Sequence, residues 1–131
     1  MSLPLSDEPC QERRIELPPA PKAPRQARAF VRRHLPEFGC PELVDDGTLI
    51  AVELVTNAIR EAPDGPVVLA LRLSAGRPVI EVRDGCPALP VIREADFVSE
   101  NGRGLHIVRE LAAEFGWRRA GRGKVVWAAL R

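Results

Sequence analysis

Hydrophobic and polar positions follow two periodicities along the chain, one typical of helices and one typical of strands. Three helices are predicted where apolar residues recur every three or four positions: 25–38, 43–62 and 105–115. Five strands are predicted where apolar residues alternate with polar ones or form short runs: 13–17, 67–73, 79–83, 117–120 and 124–130. Pro36 is expected to end or distort the first helix, and Gly116 to cap the third.

This order of elements predicts an α/β (α+β) two-layer sandwich. Turns at 74–77 and 121–123 join neighbouring strands into hairpins, so the sheet should be mixed but mostly antiparallel. The three helices would then cover one face of that sheet. Residues 1–12 are expected to form a disordered tail, and residues 13–131 one domain whose first strand lies at a sheet edge.

Composition narrows the possible partners of the protein. The formal net charge is +1 and tyrosine is absent, which argues against direct binding to nucleic acid. No apolar run approaches the ~20 residues that span a bilayer, and the N-terminus does not resemble a signal peptide. Three widely spaced cysteines (Cys10, Cys40 and Cys86) show no metal-binding spacing. We therefore expect a cytoplasmic protein with reduced thiols and no membrane contact.

Two polar side chains interrupt the second predicted helix beside its apolar stripe. Glu53 and Asn57 are four positions apart, so they lie on one helical face, about 40° from each other. A carboxylate is a general base or a ligand, and an amide oxygen is a neutral ligand for a hard cation such as Mg²⁺. The alternative is an ordinary solvated edge of an amphipathic helix.

Two further positions combine polar groups with glycine. Asp84 follows Ile80 and Val82 on one side of its strand and should face the seam between the layers, although Asp84-Gly85 is also a common turn dipeptide. The stretch 102–105 precedes the third helix, where free N–H groups bind anions, although many such junctions are plain loops. Lys124 is interpreted as a solvated edge-strand lysine, and His106 as a surface histidine.

In order and spacing, these segments resemble the motifs of the GHKL ATPase superfamily, which includes gyrase and histidine kinases. ELVTNAIREA (53–62) resembles its N box, VRDGCPALP (82–90) its first glycine box, and NGRGLHIVREL (101–111) its second. The C-terminal GRGKVVWAAL and the helix around RQARAFVRRHL are similar to the small single-domain branch, the serine-kinase anti-sigma factors. The resemblance covers residues 13–131 and implies a histidine-kinase-like ATPase fold.

The resemblance also implies ATP and Mg²⁺ as cofactors. Glu53 would be the general base that activates the acceptor hydroxyl, Asn57 would hold Mg²⁺, and Asp84, followed by Gly85, would read the adenine amino group. A lid would span Pro87–Asn101. The turn that cradles the phosphates would comprise Gly102, Arg103, Gly104 and Leu105. The implied partners are a sigma factor and an anti-anti-sigma (STAS-type) protein whose serine receives the phosphate, and homodimers occur in this branch.

Three positions depart from the family pattern. The first glycine box reads Asp84-Gly85-Cys86-Pro87 instead of Asp-x-Gly-x-Gly. Val125 is interpreted as standing where the last strand often carries a threonine that steadies the adenine, and Glu61 stands where relatives have a histidine. Two functions therefore stay open: a Mg²⁺- and ATP-dependent serine kinase that antagonises a sigma factor, or a catalytically weak or inactive binding module of the same fold.

Overall fold

The computed structural model of the chain describes residues 12–85 and 103–131, with side chains described from position 105 in the second range. The strands and helices, in chain order, are β1 (Glu12–Leu17), α1 (Ala23–His34), α2 (Val44–Glu61), β2 (Val67–Ser74), β3 (Arg77–Asp84), α3 (Arg103–Leu111), β4 (Glu114–Ala120) and β5 (Gly123–Ala129). Two short 3₁₀ turns connect α1 to α2, at Leu35–Phe38 and Pro41–Leu43. Residues 1–11 of the predicted tail, the predicted lid and Gly102 lie outside the described residues, whereas Glu12, which was assigned to the tail, begins β1.

The five strands form one sheet in the order β1-β2-β3-β5-β4. All four pairings between these strands are antiparallel, so the prediction of a mostly antiparallel sheet is confirmed, and no parallel pair occurs among the described strands. β1 lies at one edge, as predicted, and β4 at the other. β5 is an interior strand, because β3 pairs with one side of it and β4 with the other.

The helices form the second layer of the predicted α+β sandwich. α2 lies between α1 and α3 and packs on β2 and β3, while α3 also contacts β4. The core fills the space between this layer and one face of the sheet. Its fully buried members include Leu17, Val31, Ile50, Val55, Leu69, Ile80 and Ala128. Burial of these side chains holds the two layers together, since each apolar side chain removed from water contributes about 1.5–3 kcal/mol.

The connection from α1 to α2 brings the two helices close together. α1 ends at His34, and Pro36 lies in the 3₁₀ turn that follows, so the predicted distortion at this proline is confirmed. A Cβ added to Gly47 in α2 would lie 2.9 Å from Cδ2 of Leu35. The glycine therefore allows α2 to pack tightly against the end of α1.

The third helix is shorter than the sequence pattern predicted. α3 ends at Leu111, and Phe115 and Gly116 belong to β4 instead of to the end of the helix. The amide of Ala113 donates to the carbonyl of Ala129, which begins the β4–β5 ladder. Gly116 is opposite Trp127, and a Cβ at Gly116 would lie 2.9 Å from the indole ring. This glycine makes room for an indole across the sheet and does not cap a helix.

Candidate functional site

One side of α2 carries a line of three polar residues beside its buried stripe. Glu53, Asn57 and Glu61 follow each other at intervals of four positions, so each lies about 6 Å further along the helix axis than the one before. Asn57 is buried, with 9% of its surface exposed, and Glu53 is half-buried. The predicted position of Glu53 and Asn57 at the margin of the core is therefore confirmed.

The amide oxygen of Asn57 already faces positive charge. Oδ1 of Asn57 accepts a hydrogen bond of 3.2 Å from Nη1 of Arg60, one turn further along α2. Because the amide nitrogen cannot accept this bond, the oxygen is the atom turned toward a cation. Mg²⁺ binds neutral oxygens of this kind, and at Asn57 it would have to share the oxygen with Arg60 or displace it.

Asp84 ends β3 on the face that is covered by the helices. Ile80 and Val82 lie on the same side of the strand and belong to the core, while Arg83, on the other side, is exposed. The side chain of Asp84 is 1% exposed. The prediction that Asp84 points into the seam between the layers is confirmed.

Lys124 joins Asp84 to the polar line on α2. Its Nζ lies 3.0 Å from Oε1 of Glu61 and 3.3 Å from each carboxylate oxygen of Asp84. The side chain of Lys124 is 1% exposed, and that of Glu61 is 30% exposed. One buried cation therefore bridges two carboxylates, and the cluster of Glu61, Asp84 and Lys124 carries a formal charge of −1 when all three groups are ionised.

The two carboxylates keep Lys124 charged in spite of its burial. Burial by itself lowers the pKa of Lys124, because an ammonium group loses its hydration. The hydrogen bond to Glu61 and the negative charges of Asp84 and Glu61 act in the opposite direction and outweigh burial, so the pKa lies above its ordinary value of 10.5. At neutral pH the lysine is a fixed positive charge against Asp84.

Gly123 sets how closely β5 approaches the end of β3. A Cβ added to Gly123 would lie 1.9 Å from the carbonyl oxygen of Asp84 and 2.7 Å from the Cα of Gly85. No side chain fits at this distance, so the strands can pair here only because position 123 is glycine. This approach brings Lys124 directly opposite Asp84 in the ladder.

The interpretations of Lys124 and Val125 were wrong. Lys124 is buried in an interior strand and is not a solvated edge lysine. Val125 lies opposite Arg83, on the face of the sheet away from the helices, so it does not stand beside Asp84. One signal in the sequence did indicate burial of Lys124: it is the sole charged residue in the strand GKVVWAA.

Only part of the predicted phosphate-binding turn, 102–105, lies within the described residues. α3 begins at Arg103, so the predicted turn falls at the start of this helix, where free N–H groups can bind an anion. Leu105 is buried and packs into the core. Gly102 and the side chains at positions 103 and 104 lie outside the described residues, and their predicted role at the phosphates stays a prediction.

The two ends of the site differ in their fit to Mg·ATP. Glu53 and the cation-facing oxygen of Asn57 provide a carboxylate and a metal ligand on one helical face, as the phosphates and Mg²⁺ require. The carboxylate expected to read the adenine is instead paired with Lys124. The oxygen of Asn57 is engaged by the exposed Arg60 and the carboxylate of Asp84 by the buried Lys124, so the predicted base end is the more obstructed of the two.

Comparison with known proteins agrees with this architecture. Residues 17–130 match the model of a family described as the histidine kinase-like ATPase domain. The match includes both layers of the fold and every residue of the site described above. None of the curated proteins compared with the chain matches it.

Proposed function

The chain belongs to the family of histidine kinase-like ATPase domains, and we propose that it is an ATP-dependent regulatory protein of the anti-sigma type. It would phosphorylate a serine of an anti-anti-sigma (STAS-type) protein and sequester a sigma factor in alternation with that reaction. The observation that supports this proposal best is the arrangement of Glu53 and Asn57 on one face of α2, at the margin of the core.

Each of these residues has a defined chemical task in the proposed reaction. A serine hydroxyl must lose its proton as its oxygen becomes bonded to phosphorus, and the Glu53 carboxylate can accept that proton. Glu61, the other carboxylate in this line, is engaged by Lys124. Asn57 would supply a neutral oxygen to Mg²⁺. Bound Mg·ATP would supply the phosphoryl group and the metal charge, so the protein contributes mainly positioning.

The kinase reaction can be tested with labelled ATP, Mg²⁺ and a purified candidate STAS-type partner. We expect Glu53→Gln to lower the rate of phosphate transfer by about a hundredfold or more, which is the usual contribution of a general base. Glu42→Gln is a matched control, because Glu42 is an exposed carboxylate in the turn just before α2. Equal transfer by the wild type and Glu53→Gln would show that Glu53 is not the base.

The ion pair between Lys124 and Asp84 favours a second candidate function, a binding module that holds a sigma factor or another regulator with little or no catalysis. Calorimetry with Mg·ATP separates the two candidates. Tight binding by the wild type that Asp84→Ala abolishes would remove the support for the binding module. Absence of binding, together with nucleotide-independent capture of a purified sigma factor, would favour it over the kinase.

A further inference from the structure

We propose that Lys124 determines the affinity of this site for adenine nucleotides, because it holds in an ion pair the carboxylate that, under the proposed function, reads the base. No nucleotide-binding role was expected for Lys124 from the sequence. Its place in the ladder directly opposite Asp84 is the observation that assigns one.

The adenine amino group and the lysine compete for the same acceptor. Both oxygens of Asp84 lie 3.3 Å from Nζ of Lys124, and both side chains are 1% exposed. A hydrogen bond from an ammonium group to a carboxylate is stronger than one from a neutral amino group. Binding of the base at Asp84 therefore competes with a stronger, charged donor, and this competition weakens the affinity for the nucleotide.

Glu61 gives the lysine a second ion-pair partner. Nζ of Lys124 already donates to Oε1 of Glu61 at 3.0 Å. When the base takes Asp84, the ammonium group can stay on Glu61 without moving into solvent. The penalty is then the loss of one of two ion pairs, so we expect an affinity lower by about tenfold to a hundredfold than that of a site without the lysine.

Two substitutions at position 124 separate charge from volume. Lys124→Thr removes the charge and much of the side chain and keeps a β-branched residue suited to a strand. Lys124→Met keeps most of the length and removes only the charge. If the ion pair limits base binding, both variants bind Mg·ATP at least about tenfold more tightly than the wild type in calorimetry.

Two controls locate the effect at Asp84. Val125→Thr changes the neighbouring position on the opposite face of the sheet, and we expect its affinity to equal that of the wild type. Adding Asp84→Ala to Lys124→Thr should abolish the gain. Urea unfolding of each variant establishes that the protein titrated is folded.

The possible results separate this inference from the proposed function. Equal affinities of the wild type and Lys124→Thr, or no binding by either, overturn the role of Lys124. A gain that survives Asp84→Ala, appears in Val125→Thr or is confined to Lys124→Thr also overturns it. If only the wild type fails to bind and both Lys124 variants bind, the inference stands and the kinase function of the natural protein is lost.

Discussion

Replacing Gly123 by alanine would place a methyl group against the main chain of the neighbouring strand. Its Cβ would lie 1.9 Å from the carbonyl oxygen of Asp84, a backbone atom that cannot rotate away. Because carbon–oxygen contacts in sheets are about 3.3–3.6 Å long, β3 and β5 would have to separate by about 1.4 Å or more at this point. The separation falls where Lys124 pairs with Asp84, so it disturbs the ladder and the ion pair together.

The expected cost follows from these contacts. Overpacking of this kind costs about 1–3 kcal/mol, and each backbone hydrogen bond that is stretched or lost adds about 1 kcal/mol. Alanine also restricts the unfolded chain, which offsets about 0.4–1 kcal/mol. We therefore expect Gly123→Ala to lower the free energy of unfolding by about 3 kcal/mol.

Urea unfolding followed by tryptophan fluorescence measures this change, because Trp117 and Trp127 both lie in the hairpin that contains Gly123. Gly85→Ala is the matched control: nothing lies within 4 Å of the Cβ it would add. We expect that variant to stay within about 0.5 kcal/mol of the wild type. Equal unfolding midpoints for Gly123→Ala and Gly85→Ala would refute the close approach of β3 and β5.

Two further predictions concern the cluster of Glu61, Asp84 and Lys124. Lys124→Met should lower the free energy of unfolding by about 3 kcal/mol, because it removes the cation from a buried carboxylate. In the double variant Lys124→Met/Asp84→Asn, the loss of free energy of unfolding should be smaller than the sum of the two single losses by about 1 kcal/mol or more. Additive losses in urea unfolding would contradict the ion pair. The pKa of Lys124 is raised in the folded protein, so its stabilisation is complete below its ordinary value of 10.5 and is lost as pH rises through the higher folded pKa. The difference in free energy of unfolding between the wild type and Lys124→Met should therefore be constant from about pH 7 to 9 and shrink above about pH 10.5; a difference that does not shrink as the pH is raised past that value would exclude this origin.

Local patterns in the sequence were sufficient for most of the fold. The period of α2 and the turn between β2 and β3 depend on residues that are close in the chain, so their bounds were predicted to within a few positions. The same periodicity located Glu53 and Asn57 at the margin of the core. It also oriented Asp84 correctly, since alternation along one strand fixes the face on which each side chain lies.

The end of α3 shows where a local pattern fails. Phe115 continues the helical spacing of Val108 and Leu111, and this spacing predicted a longer helix. In the folded protein Phe115 pairs with Ala128 in the sheet and still packs against the core. Both conformations bury the same side chain, and only pairing with β5 decides between them.

The sequence by itself determined that a carboxylate would end β3 in the seam between the layers, and that a glutamate and an asparagine would line α2. What faces that carboxylate was decided by the order of the strands. Asp84 and Lys124 are 40 positions apart in the chain and meet only because β5 inserts between β3 and β4. Periodicity along a strand predicts which face of the sheet a side chain occupies. The partners of that side chain on the same face belong to another strand and to a helix. For this reason a lysine that the sequence pattern assigned to solvent is the buried partner of the residue expected to read the nucleotide base.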